Sequence, residues 1–236
     1  MSPTLTCRTI ATIDLTQLDI ESMFCVFNEN FDGASIENFK RDLNNKNWVI
    51  QLYDAESGEL QGFSTLALYE TLFKGKKISV VYSGDTIICR AYWGTPELPK
   101  SWIHTVLEKS AEMEQPVYWL LISSGYKTYR FLTVFYKEFY PCHHRSTPPE
   151  MKILMDHLAC ERFGDDYSPD SGVVRFQNGA TPLREGVAEV TNERLRDEDI
   201  AFYLEKNPHH DQGDELVCIT RVHPENFTPA GRRMAR

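Results

Sequence analysis

The sequence predicts an α/β fold: a mixed central sheet with flanking helices and a C-terminal extension. Three observations carry that expectation. Residues 80–94, VVYSGDTIICRAYWG, form an apolar, β-branched run that stops in a turn, with the helical pattern of residues 98–113 directly behind it. Residues 117–123 repeat the unit as a second strand, followed by the turn Ser124-Gly125 and an amphipathic helix over residues 126–136. Residues 48–53 and 60–69 alternate around Glu56-Ser57-Gly58-Glu59, the pattern of a hairpin.

The first third opens with a loosely alternating strand over residues 5–13. Asp14 and Thr16 offer capping oxygens for a helix over residues 18–30, whose Leu18, Met23, Phe24, Phe27 and Phe31 recur at helical spacing as a core-facing stripe. Ser35 opens a second short helix carrying Phe39 and Leu43, which ends at Asn44-Asn45. Residues 71–77 read as a basic, solvated connector into the central strand. Each of the two strand–turn–helix units aims free N–H groups, and the positive end of a helix dipole, at one spot that suits an anion such as a phosphate.

Beyond Pro141, residues 142–149 read as a loop and residues 150–163 as a helix with Met151, Leu154, Met155 and Leu158 inward. Residues 164–186 are rich in Asp, Ser, Pro and Gly and are expected to loop over the surface around a short strand at 173–176. A polar helix over 197–206 and a final strand over 215–222 follow, and residues 228–236 read as a frayed basic tail.

Composition narrows the function classes. With 236 residues, 42% of them hydrophobic, the chain can bury a full core. A net charge of −9 argues against a broad nucleic-acid footprint. The six cysteines are far apart and form no C-x-x-C pair, and the adjacent histidines His143-His144 and His209-His210 chelate poorly on an extended chain, so no metal is expected. The first fifteen residues lack a charged start before a long apolar run, and no later segment has the apolar length of a membrane span. A soluble, reduced, cytoplasmic protein is the expectation.

The order strand, helix, helix, hairpin, strand, turn, helix, strand, helix over about residues 5–141 resembles the GNAT superfamily of acyl-CoA-dependent N-acyltransferases. In that family a Gln/Arg-x-x-Gly-x-Gly/Ala loop follows the fourth strand, and its backbone amides hold the cofactor pyrophosphate. Arg90-Ala91-Tyr92-Trp93-Gly94-Thr95 stands here in its place, with Trp93 at the glycine position and Gly94 one residue later. Either Gly94 supplies the close approach to the main chain, or the donor is gripped differently, for example as the phosphopantetheine of an acyl carrier protein. The resemblance implies donor binding by Ile88, Arg90, Tyr92, Trp93, Gly94, Thr95 and Ser123, with Lys127 and Arg130 either meeting phosphates or keeping their helix soluble. It also implies that the strand ending at Ser123 splays from its neighbour, and that residues 1–145 form the donor-binding core while residues 146–236 complete the sheet and cover the acceptor side.

The family's aromatic-Tyr-x-x-x-Gly-Phe signature is similar to Phe135-Tyr136-Lys137-Glu138-Phe139, which implies Tyr136 as the acid that protonates the departing thiolate. Asp85 interrupts an apolar strand after Ser83-Gly84 and is either the base for the attacking amine or a water-facing residue in a bulge; His104 is a further candidate base. The function implied is N-acyl transfer from acyl-CoA, without a metal, to a small-molecule or peptide amine. The alternative is a GNAT-like protein without catalysis that binds acyl-CoA or docks a partner. A carrier-protein donor and a homodimer stay open.

Overall fold

The helix starts are written locally in side-chain oxygens. Thr16 and Asp19 cap each other's backbone in a reciprocal box at the head of α1 (Gln17–Asn30), and Ser35 caps α2 (Ile36–Leu43). The computed structural model describes residues 4–177, 181–187 and 189–236. In chain order, β1 (Leu5–Ala11) precedes these two helices, and β2 (Trp48–Asp54), β3 (Leu60–Phe73) and β4 (Lys76–Ile88) follow them as an antiparallel meander. Next come α3 (Glu97–Ser110), β5 (Val117–Ser123), α4 (Tyr126–Phe135), β6 (Phe139–Tyr140) and α5 (Pro149–Phe163). The extension adds β7 (Tyr167–Ser168), β8 (Val173–Val174), α6 (Glu198–Lys206), β9 (Glu215–Arg221) and α7 (Pro229–Met234).

The sheet runs β1-β2-β3-β4-β5-β9-β8-β7, with β6 paired to β9 off that path. Only β4 and β5 are parallel among the described pairs. The architecture is therefore the predicted mixed α/β one, and the last long strand does complete the sheet, beside β5.

Strand alternation divides the core by face. Val81, Trp119, Leu121 and Cys218 point to the side covered by α3, α4, α6 and α7, where Trp102, Tyr129, Ile200 and Tyr203 meet them. The other face carries two separate clusters. Phe27 and Phe39 pack on Val49, Phe63 and Ile87, while Leu154 and Leu158 of α5 pack beside Val80, Tyr82, Leu120, Ile122, Val217 and Ile219.

Three sequence expectations change. Residues 71–77 are not a connector: β3 and β4 continue to the pair Phe73↔Lys76, closed by Lys74 (φ 50°) and Gly75 (φ 76°). Both central turn residues have positive φ, which suits a tight hairpin, and the far end of this ladder is exposed, so its residues are too polar to read as a strand. The tail is not frayed either, because Thr228 caps α7 and Gly231 is buried against Phe135 of α4. The strand expected at 173–176 stops at Val174, where its partner β9 begins at Glu215. Among the described residues no helix is long and apolar enough to cross a membrane.

Candidate active site

The site grows from one irregularity in β4. Ser64 pairs with Thr86 and Leu66 with Ser83, so Thr65 alone faces both Gly84 and Asp85. That is a β-bulge, and it re-aims the residues it carries. At the same level β4 parts from β5: their parallel ladder runs from Ser79↔Val117 to Ser83↔Leu121 and stops. Beyond it β4 stays with β3, while Ile122 and Ser123 of β5 stay with Val217 and Leu216 of β9. On the face where the two clusters stand apart, a cavity of about 340 Å³ opens over the split.

Its walls come from both clusters and from the extension. Phe27, Phe31 and Phe39 line one side, Tyr82, Gly84, Asp85 and Thr86 the floor, and Ile122, Ser124 and Glu215 the other side. Phe176 and Leu183 reach over from the extension. Glycine at 84 leaves room for the end of the lysine: a Cβ there would lie 2.7 Å from Lys46 Cε, 2.8 Å from its Nζ and 2.9 Å from Thr65 Oγ1, so those side chains would have to shift. The Lys46 side chain is fully enclosed, with its ammonium paired to Asp42 and 5.3 Å from the centre of the Tyr82 ring.

Two half-buried carboxyls open on this cavity. Desolvation chiefly, and then the charge of Asp42, push Asp85 up to about 7, against the pull of Lys46. Glu215 is pushed up to about 8 by desolvation and by Asp85, while a hydrogen bond from Ser124 and the charge of Lys46 oppose the rise. The charge on Asp85 thus weighs against ionising Glu215. Glu215 is not singled out by the sequence, because only the placement of β9 beside β5 brings the start of that strand to the end of the other.

The predicted donor residues divide into two groups. Arg90 and Trp93, with Lys127 over the Trp93 ring, cluster at the mouth of a separate, smaller hollow: the Arg90 guanidinium lies 5.5 Å and the Lys127 ammonium 2.9 Å from the Trp93 ring centre. Burial and the charges of Arg90 and Arg194 lower Lys127 to about 8, and its Nζ donates to the Val187 carbonyl at 2.8 Å. Gly94 follows with φ 87° and open space around its Cα, and Thr95 accepts from the Glu97 N–H at 3.4 Å. The hollow, of about 220 Å³, lies between Arg90, Trp93 and residues 185–187. The head of α4, at Gly125, has no side-chain cap.

The second group is engaged in holding the fold. The Ile88 carbonyl accepts from the Trp93 indole at 2.8 Å, and the Tyr92 hydroxyl donates to Asp54 at 2.7 Å. Ser123 is buried, its hydroxyl donating to the Gly125 carbonyl and its own carbonyl accepting from Tyr203. Arg130 is ion-paired with Asp197, the cap of α6. None of these four lines either cavity.

Tyr136 stands on the opposite face of the sheet. Its ring packs 5.7 Å from Trp119 and 5.2 Å from Phe227, and its buried hydroxyl has no hydrogen-bond partner among the described residues. Burial holds that phenol far above its ordinary range. An acid must come within hydrogen-bond reach of the group it protonates, so the expected role for Tyr136 does not survive this placement. His104 is exposed on α3 and lines neither cavity.

No family model matches the chain, and no curated protein matches it. Solved structures do match. An acetyltransferase from Trypanosoma brucei is 16% identical over 61% of this chain and 98% of its own, with a TM-score of 0.41. A GNAT family N-acetyltransferase from Escherichia coli in complex with CoA is 15% identical over 56% of this chain and 70% of its own, at 0.38. A probable N-acyltransferase from Enterococcus faecalis is 13% identical over 92% of this chain and 66% of its own, at 0.41. Likenesses this slight carry no functional argument, and the functional reading rests on the residues of this chain.

Proposed function

We propose that this protein moves an acyl group from an acyl thioester, acyl-coenzyme A, to an amine. The observation that carries the reading is the parting of β4 and β5 with Asp85 in the gap. Among the described residues the edge of β4 between Gly84 and Ile88 has no strand partner on the β5 side, which leaves its main-chain groups to pair with an extended ligand arm or with the oxygen of a reacting carbonyl. The mouth supplies the complement of a pyrophosphate in Arg90, Lys127 and the uncapped head of α4. In this reading residues 1–145 hold the donor, and the extension closes the acceptor side with Phe176, Leu183 and Glu215.

The chemistry is short. The bound ammonium first gives one proton to the ionised Asp85–Glu215 pair, the neutral nitrogen then attacks the thioester carbonyl carbon, the C–S bond breaks, and the nitrogen's second proton passes to the other carboxylate of the pair. The thiolate leaves and takes a proton from water. Most of the acceleration comes from holding the two reactants together in the right orientation.

Adding acyl-CoA at about 100 times its Kd is expected to stabilise the protein by about 2.7 kcal/mol, and Lys127→Ala combined with Arg90→Ala is expected to abolish that gain. An amine together with the thioester releases free thiol. The reading falls if no thioester either raises the melting temperature or is consumed. Tyr136→Phe gives a separate check: removing an unsatisfied buried hydroxyl is worth about 1–3 kcal/mol, so this variant is expected to melt higher with thiol release unchanged. A loss of activity in it would restore the acid role.

A further inference from the structure

We propose that the acceptor is a primary amine carried on an aromatic or similarly bulky apolar body, its ammonium between Asp85 and Glu215 and its body against Phe27, Phe31 and Phe39. This deepens the transferase reading and rests on it.

Charge comes first. Asp42, Asp85 and Glu215 line the cavity with a single lining cation, the exposed Arg41, and the buried Lys46 behind them is paired with Asp42. Asp85 and Glu215 have no ion-pair partner among the described residues, and each raises the other's free energy when both are ionised. An ammonium relieves that repulsion. A neutral acyl chain laid in the same place leaves the carboxyls desolvated and uncompensated, which disfavours a long donor chain as the occupant.

Shape and surface then choose among amines. Phe27 and Phe31 stack at 4.6 Å with 18° between their planes, and Phe39 leans against Phe27 at 5.3 Å. Aromatic rings pack offset or edge-on against such faces and attract a nearby cation. Asn38, Asn45, Thr86 and Ser124 also line the cavity, but the Phe27, Phe31 and Phe39 side offers no side-chain polar atom, so an amino sugar or a polyamine laid along that side loses water there without compensation. At about 340 Å³ the cavity has the volume of about eleven waters at ~30 Å³ each, which fits a small molecule.

The test uses the full chain and two readouts. Calorimetric binding without donor, at pH 8, compares 2-phenylethylamine and tryptamine with 2-phenylethanol, putrescine, glucosamine and a tripeptide. Thiol release from acetyl-CoA is then followed with the same set. The aromatic amines are expected to bind at least about tenfold more tightly than the alcohol or the polar amines. The double variant Asp85→Asn, Glu215→Gln is expected to lose the preference for amine over alcohol. Phe176→Ala lies at the half-exposed rim and spares the core, so it reads out without the folding risk of Phe39→Ala; it is expected to raise KM for the aromatic amines about fivefold.

Equal binding of amine and alcohol, or preference for the polar amines or the tripeptide, overturns the substrate class. If thiol is released with polar amines alone, that class falls and the transferase reading stands. If the aromatic amines bind but no thioester is consumed, the transferase reading falls and the ligand of the cavity stands.

Discussion

Asp85→Asn is expected to cut acyl transfer about 10²–10⁴-fold, the range for losing a general base, and at the same time to raise the melting temperature at pH 8. Both effects have one source. The Asp85 carboxyl is pushed up to about 7 by burial and by Asp42, in a setting where Glu215 from β9 and Tyr82 from β4 also face it and only Lys46 pulls it down. As a base it works when ionised, so the rate should climb as the pH rises through about 7, and in the asparagine variant Glu215 alone should carry what remains of that limb.

Stability runs the opposite way. With a folded pKa above the unfolded one, the native state binds more protons than the unfolded chain from about pH 4 to 7–8, so stability is full below that window and falls as pH rises through it. One unit of displacement is about 1.4 kcal/mol, and 1 kcal/mol moves the melting point of a chain this long by about 2–4 °C. Asparagine removes the Asp85 share, and a gain of about 10 °C at pH 8 that fades towards pH 5 is the expected measurement. A melting curve that stays level from pH 5 to 8 in the wild type would show the carboxyl to be solvated.

Lys46→Met should have the largest effect on folding. Its ammonium is wholly enclosed beside Asp42 and lowers both Asp85 and Glu215. Removing one partner of a buried pair costs about 3–5 kcal/mol; because Asp42 itself is half-exposed, the lower end is expected, read by denaturant unfolding. The rate limb should move to higher pH by about one unit, as the remaining carboxyls lose their only nearby cation. Asp42→Asn should move it to lower pH, since Asp42 raises both groups. Opposite displacements identify Lys46 and Asp42 as residues that set the base's proton affinity; two variants that only destabilise would leave the limb in place.

Much of this was visible in the residues. The β-branched run from Val80, the hairpin around Gly58 and the final strand at 215 rest on periodicity and turn chemistry, which are local; the last two stand where expected, and the first is a strand that starts earlier, at Lys76, and ends at Ile88. The splay also followed, though from a family pattern and not from spacing. Roles that depend on which face of the sheet a side chain occupies did not follow. Tyr136 ends α4 and Ser123 ends β5, and each reads as belonging to the cleft until α6, α7 and Phe227 are seen to enclose them. Glu215 was hidden for the converse reason, since it lies 130 positions after Asp85 and only the antiparallel seating of β9 brings the two together.

The close fit of Gly84 over Lys46 has a consequence for descent. Any lineage that places a side chain at 84 drives its first carbon into the lysine's terminal atoms, so the ammonium must shift from its place beside Asp42. The acids above would then feel a displaced counter-charge. Positions 46 and 84 are therefore expected to covary among homologues that retain this chemistry.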